Sequence, residues 1–497
     1  APIPGKNTIG IELPNKVNAS VSFKEVLSSM PEVNEKTILA VGLGKDIMGK
    51  VKWCEINTTP HMLVAGSTGS GKSEFIITYL LSLAICYHPD EVQFVLIDYK
   101  GGGLAGAFEN KETGIRVPHL SGTITNLDVS EMNRTLISIN SELKRRQAKF
   151  NEERDKLGES TIDIYKYQKY YREGLIDEPI PHLFIVSDEF AELKAQQPEF
   201  MDELISTARI GRSLGVHLIL ATQKPSGVVN EQIWSNTRFR VCLKVQDESD
   251  SKEMLKRSEA AGLKHVGRYY LQVGYDEYFA LGQSAWCGTK YYPSETIVKQ
   301  VDKSINFIND YGIFIKSIQS SSGIKLEQKG EQLSTILKYI MEVSDKVQKK
   351  SRKLWLDNIP ETILVDNLEK KYSIEFPSYD IKAIIGEYDA PEKQKQGPVV
   401  FNYLKNGNTI VYGNDGSENE SFLNTLIYST SKNYSANDIN YYIVDYGSEG
   451  CMPCQEMKPA LKRVNERMYQ KAFVKYIDVW EYPEAAGKLP VNLIPNK

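Results

Sequence analysis

The feature that most constrains this chain is eight residues long. Gly66-Ser67-Thr68-Gly69-Ser70-Gly71-Lys72-Ser73 fits the pattern GxxxxGK[ST], between an apolar run, Met62–Ala65, and a helical stretch from Lys72 to about Cys86. Glycines let backbone N–H groups curl around a phosphate without Cβ clashes, and the helix N-terminus behind them adds a favourable dipole. In such a loop Lys72 reaches the β- and γ-phosphates, and the Ser73 hydroxyl ligates Mg²⁺. The competing reading, a glycine-rich turn without a ligand, sits badly with the flanking strand and helix. The loop predicts an ATP site with Mg²⁺.

A loop of this kind hangs on a parallel sheet, and further apolar runs supply one. Val92–Asp98, His182–Asp188, Val216–Ala221 and Phe239–Val245 read as short strands, with helices around Ser130–Asn151 and Glu199–Arg209. Continuous apolar strands separated by helices indicate a sheet covered on both faces, the doubly wound α/β class.

The second of these runs closes on Asp188-Glu189. At that position Asp188 holds the Mg²⁺ shell and Glu189 polarises the attacking water as general base. Glu189 can equally cap the helix that follows, and the two roles are compatible. Gln223 ends the next strand on the same rim, where an amide can sense the γ-phosphate; bonding to loop backbone is its plainer role. A ring-forming ATPase also takes a cation from its neighbour. Arg238 and Arg240 alternate faces just before a strand, so one of them is expected to serve, with Arg240 preferred; Arg209 and Arg212 read as helix-face ion-pair partners.

With 497 residues the chain exceeds the roughly 250–300 at which a single core stops growing, so it holds more than one domain. We expect a β-rich lead-in over 1–58, an active ATPase domain over 59–293, a helical connector over 294–395, a partial second ATPase-like domain over 396–450 and a tail over 451–497. In the second domain Gly413 aligns with Gly66, but Asn419 stands where Lys72 does and Glu420 where Ser73 does. Two such changes make tight ATP binding there improbable. The tail carries Cys451 and Cys454 as a CxxC pair after a strand, similar to a thioredoxin active-site segment; a truncated, redox-inert segment is the main reading, with a working dithiol or a metal half-site as alternatives. Cys54, Cys86, Cys242 and Cys287 are isolated, the pattern of reduced thiols.

Net charge is −4, with a pI near 6.0. A DNA-tracking protein normally presents a basic stripe, because phosphate neutralisation dominates its affinity. The balance leans against nucleic acid. No run approaches the roughly 18 apolar residues that span a bilayer, and the opening Ala1-Pro2-Ile3-Pro4 without Met suggests a piece of a longer protein.

His61–Gly66, Leu96–Gly103, Gly215–Gln223 and the Arg238/Arg240 region resemble the FtsK/SpoIIIE-type ATPases. Within that family, Ser121–Asp128, Ser187–Lys194, Ser206–Ser213 and Gly282–Trp286 look like the EssC/EccC-type motor of type VII secretion. The resemblance spans about residues 60–293. It implies RecA-like domains, a homo-hexamer when active, and a place at the cytoplasmic face of the membrane within a secretion complex. Its substrates would be small helical-hairpin proteins of the WXG100 type. The alternative is a hexameric DNA translocase of the same family, which the opening segments Ile9–Asn15 and Leu43–Asp46 resemble more; the degenerate second domain speaks for the secretion motor.

Overall fold

A computed structural model describes residues 20–31, 39–56, 60–98, 103–125, 129–229, 231–275, 277–291, 305–318, 330–356, 358–407, 409, 411, 416–447 and 472–478, with isolated positions between 459 and 466. The chain divides into two compact units, Ala1–Trp355 and Leu356–Lys497.

The first unit opens with β1 (Val21–Ser22), α1 (Phe23–Ser28), β2 (Ala40–Asp46) and β3 (Val51–Glu55). Next come β4 (Met62–Ala65), α2 (Lys72–Cys86), β5 (Val92–Ile97) and α3 (Gly103–Phe108). A minor hairpin, β6 (Glu109–Asn110) and β7 (Ile115–Arg116), leads to β8 (Leu120–Ile124), α4 (Val129–Leu157) and α5 (Ile164–Arg172). The chain continues through β9 (His182–Ser187), α6 (Phe190–Gln196), α7 (Pro198–Gly211), β10 (Val216–Thr222), α8 (Glu231–Asn236) and β11 (Phe239–Cys242). It closes with α9 (Glu248–Leu255), β12 (Arg268–Val273), β13 (Tyr278–Trp286), the hairpin β14 (Ile305–Ile308) and β15 (Phe314–Ile318), and α10 (Gln332–Val347).

One sheet organises this unit, in the order β3-β2-β13-β12-β11-β4-β10-β9-β5-β8, with β1 added beside β13. From β11 to β8 neighbouring strands run parallel; β12, β13, β2 and β3 extend the sheet antiparallel. Strand parity sorts the core. Met62 and Val64 of β4, and Phe184 and Val186 of β9, face one apolar cluster with α2; Leu63, Ala65, Leu183 and Ile185 face the other with α4, α6 and α7. Successive strand residues point to opposite faces, so an uninterrupted apolar strand must be covered twice. Helix α4 meets its cluster through Met132, Leu136, Ile139 and Leu143, the three-and-four spacing of one helical face.

The expected strands and helices of the ATPase core are present. Three boundaries differ, one of them 395/396, which the antiparallel pair Lys382–Ala390 and Lys395–Asn402 straddles. The lead-in is no separate domain, because β2 pairs with β13 and so joins the same sheet. Nor does the domain stop at 293. Leu337 of α10 is buried in the first cluster, Lys349 pairs with Asp90, and the following backbone runs along β8, with the Leu354 N–H donating to the Ser121 carbonyl at 2.9 Å. Trp355 then lies over Gly122, where even a Cβ would come within 2.5 Å of the indole.

At the end of the parallel strands remote from the Gly66–Ser73 loop, three histidines are buried together. His217 Nδ1 lies 3.0 Å from the Pro60 carbonyl, which can only accept, so His217 Nε2 accepts in turn from His182 Nδ1 at 2.7 Å. His61 Nδ1 accepts the Leu218 N–H at 3.0 Å. Burial drives the pKa of His217 down to about 3 and that of His182 well below its ordinary value.

The second unit holds α11 (Val365–Tyr372), the antiparallel pair β16 (Lys382–Ala390) and β17 (Lys395–Asn402), α12 (Tyr403–Asn406), α13 (Gly416–Asn433), and β18 (Tyr441–Gly447) paired in parallel with β19 (Ala472–Asp478). Helix α13 and strand β18 match the expected second α/β pattern. Most of the strand expected at Thr409–Gly413, the side chains of Asn419 and Glu420, and both Cys451 and Cys454 lie outside the described residues.

Candidate functional site

Strands β4, β9 and β10 lie side by side, and their C-terminal ends carry the loop Gly66–Ser73, the pair Asp188-Glu189 and Gln223. The loop is pinned by backbone on three sides. The Gly66 N–H donates to the Thr222 carbonyl (3.1 Å), the Ser67 N–H to the Lys244 carbonyl (2.8 Å), and the Gly267 N–H to the Ser70 carbonyl (2.8 Å). Gly71 caps α2 with φ at +92°, a left-handed backbone that glycine adopts without strain, and any Cβ there would stand 3.0 Å from the Gly267 nitrogen. Burying α2 on nearly every side fixes the direction in which its first turn points.

On that turn Lys72 is 5% exposed, and its ammonium donates to both Oδ1 (2.8 Å) and the backbone carbonyl of Asp188. The sequence pattern put these two residues on one nucleotide; the fold sets them in direct contact.

Glu189 stands ahead of α6, yet its side chain makes no bond to that helix's first turn. Its carboxylate instead accepts from the Thr222 hydroxyl at 2.7 Å and from the Gln223 N–H at 3.1 Å. The side-chain oxygen of Gln223 accepts from the Thr68 hydroxyl at 2.9 Å. Gln223 therefore touches the glycine loop with its side chain and Glu189 with its backbone. Thr222, Lys244 and Gly267 escaped the sequence reading; only Thr222 left a trace there, as a polar residue closing an apolar strand beside Gln223.

The arginines need correction. Arg240, preferred as the cation offered to a neighbouring subunit, is 1% exposed. Its guanidinium lies 3.6 Å from the Trp234 ring centroid and donates to the carbonyls of Gly274 (2.9 Å) and Trp234 (2.8 Å). Such burial suits a structural pin, not a group that reaches outward. The side chain of Arg238 is 56% exposed and pairs with Glu277. Arg240 lies opposite Leu63 of β4, three residues before Gly66, and Arg238 stands just ahead of β11.

Among the described residues, no three His, Cys, Asp or Glu side chains gather as a metal cage. The Ser73 hydroxyl and the Asp188 carboxylate remain as oxygen donors. That set fits Mg²⁺, which takes one or two protein oxygens beside phosphate and water.

Residues 22–227 match the FtsK/SpoIIIE family. The matched segment is an FtsK/SpoIIIE domain within the chain. It is 42% identical over 475 residues to the type VII secretion system protein EssC of Staphylococcus aureus (strain NCTC 8325 / PS 47), covering 91% of this chain and 31% of that protein. It is 38% identical to the ESX secretion system protein EccC of Geobacillus thermodenitrificans (strain NG80-2), covering 93% of this chain and 31% of that one. The chain thus spans about a third of the length of these relatives. Its fold is shared with the cytoplasmic domain of the Thermomonospora curvata type VII secretion ATPase EccC, at a TM-score of 0.67, 21% identity, and coverage of 94% of this chain and 51% of that chain. It is shared too with T. curvata EccC (ATPases 2 and 3) in complex with a signal sequence peptide, at a TM-score of 0.55, 16% identity, and coverage of 97% and 77%.

Proposed function

We propose that this FtsK/SpoIIIE domain hydrolyses ATP to drive protein export through a type VII secretion system. The observation that carries the reading is the contact of Lys72 with Asp188, with Glu189 next in the chain and held against the end of β10. The backbone of Gly66–Ser73 would wrap the phosphates, and Lys72 would exchange its bond to Asp188 for the β- and γ-phosphate oxygens. Ser73 and Asp188 would hold Mg²⁺, which when bound neutralises charge on the transferring phosphoryl group. Glu189 would take the proton of the water that attacks the γ-phosphorus as the bond to the ADP oxygen breaks. Gln223, joined to both loop and base, would report loss of the γ-phosphate to the sheet. Arg238, exposed, suits a role in trans better than Arg240.

The names of the 42% and 38% identical relatives support secretion as the work done. A neighbour of the same fold binds a signal-sequence peptide, and we extend this to helical-hairpin substrates of the WXG100 type. A homo-hexamer at the cytoplasmic face of a membrane secretion complex completes the reading. Among the described residues no helix is long and apolar enough to cross a membrane. The test is ATP turnover with a WXG100-type protein and with duplex DNA. Stimulation by the protein alone is expected; stimulation by DNA with a steep salt dependence would favour the translocase.

A further inference from the structure

The carboxylate of Glu189 takes hydrogen bonds from the end of the strand beside it. Oε1 accepts from the Thr222 hydroxyl at 2.7 Å and from the Gln223 N–H at 3.1 Å, and Oε2 lies 3.3 Å from that same N–H. Thr222 is fully buried. Its hydroxyl has a single hydrogen and two acceptors within range, the carboxylate at 2.7 Å and the Lys224 carbonyl at 3.3 Å. The shorter, charge-assisted bond takes the hydrogen, and the hydroxyl oxygen accepts the Lys224 N–H at 3.2 Å. The direction of the hydroxyl is thereby set from both sides.

A glutamate has three side-chain torsions, and a base that must meet one water needs them fixed. Packing cannot do this for a carboxylate as it does for an apolar group; hydrogen bonds must. We propose that Thr222 is a positioning residue for ATP hydrolysis, orienting Glu189 through its hydroxyl without touching the nucleotide. The inference rests on the reading of Glu189 as general base and adds a residue to it. It also gives the Thr222-Gln223 step a single physical sense. Gln223 accepts from Thr68 of the phosphate loop at 2.9 Å while its N–H holds Glu189, so a shift of the loop reaches the base through one peptide unit.

The test compares Thr222→Val, which keeps the shape and removes the hydroxyl, with Thr222→Ser, which keeps the hydroxyl, in the full chain, with Glu189→Gln as control. Steady-state ATP turnover, binding of a fluorescent ATP analogue and the melting temperature are measured for each. Turnover by Thr222→Val is expected to fall roughly 10- to 100-fold, the scale of a small misplacement of a catalytic group. Nucleotide affinity should stay within about twofold, because a group acting only on the base leaves binding alone. Thr222→Ser should keep turnover near the native value. Native turnover in Thr222→Val would overturn the proposal. So would Thr222→Ser as slow as Thr222→Val, since the lost methyl and not the hydroxyl would then matter. Undiminished turnover in Glu189→Gln would instead remove the general base itself, and the role of Thr222 with it.

Discussion

Lys72 Nζ, on the first turn of α2, stands 2.8 Å from Asp188 Oδ1 at the end of β9, with both side chains largely withdrawn from water. An ammonium so placed has few partners to choose from, and replacing the carboxylate leaves a buried charge with weaker ones. Asp188→Asn should lower stability by roughly 3–5 kcal/mol, the scale for breaking a buried pair from one side, and should weaken Mg²⁺-dependent ATP binding. Chemical denaturation and nucleotide titration check the two effects. An unchanged denaturation midpoint would show that the pair contributes nothing to the fold.

Glu189→Gln keeps the size of the side chain and lets its oxygen go on accepting from Thr222, but removes the base. Turnover is expected to drop by a factor of roughly 10²–10⁴, the contribution of a positioned general base, with ATP still bound. Phosphate release measured under saturating ATP decides this.

The two arginines at the entry to β11 should separate cleanly. Arg240→Ala removes a buried cation stacked on Trp234 and two bonds to carbonyls, and should cost roughly 2–4 kcal/mol of stability. Arg238→Ala removes an exposed ion pair worth at most about 1 kcal/mol, so it should melt like the native chain. If Arg238 serves a neighbouring subunit, its loss lowers turnover only in the assembled oligomer. Melting curves beside turnover at low and high protein concentration distinguish the pair.

Acid should loosen this domain through its buried histidines. Burial depresses the pKa of His119 to about 4, of His217 to about 3, and of His182 well below its ordinary value. Unfolded histidine titrates near 6.5, so below that pH the unfolded chain takes up protons that the folded one refuses. The stability these groups contribute is complete above about pH 6.5 and drains away as pH falls toward their folded values. The melting temperature should decline steadily from pH 7 to pH 5. His119→Gln should flatten part of that slope.

The core of the site was legible because its signals are local. Gly66–Ser73 and Asp188-Glu189 carry their chemistry within a few residues, and each follows an apolar run that could only be a buried strand. Position in the sheet was not legible. Nothing adjacent to Arg240 announces Trp234 as its cover, since the contact depends on how α8 folds back on β11, and alternation along a strand assigns faces without saying what waits on each. Thr222 was hidden for the same reason: its partner is 33 residues away in sequence and 2.7 Å away in space. The lead-in strands looked like an appendage because their pairing partner, β13, comes more than two hundred residues later.

Every step proposed for this site depends on the grip of a magnesium triphosphate by Lys72 and the acidic pair. Calorimetric titration of ATP with Mg²⁺ into the native chain and into Lys72→Ala tests it most directly. Saturable binding by the native chain, weakened in Lys72→Ala by roughly 100-fold or more, is predicted, since loss of a charged contact to phosphate costs about 3 kcal/mol. Equal affinity in the two proteins would contradict it.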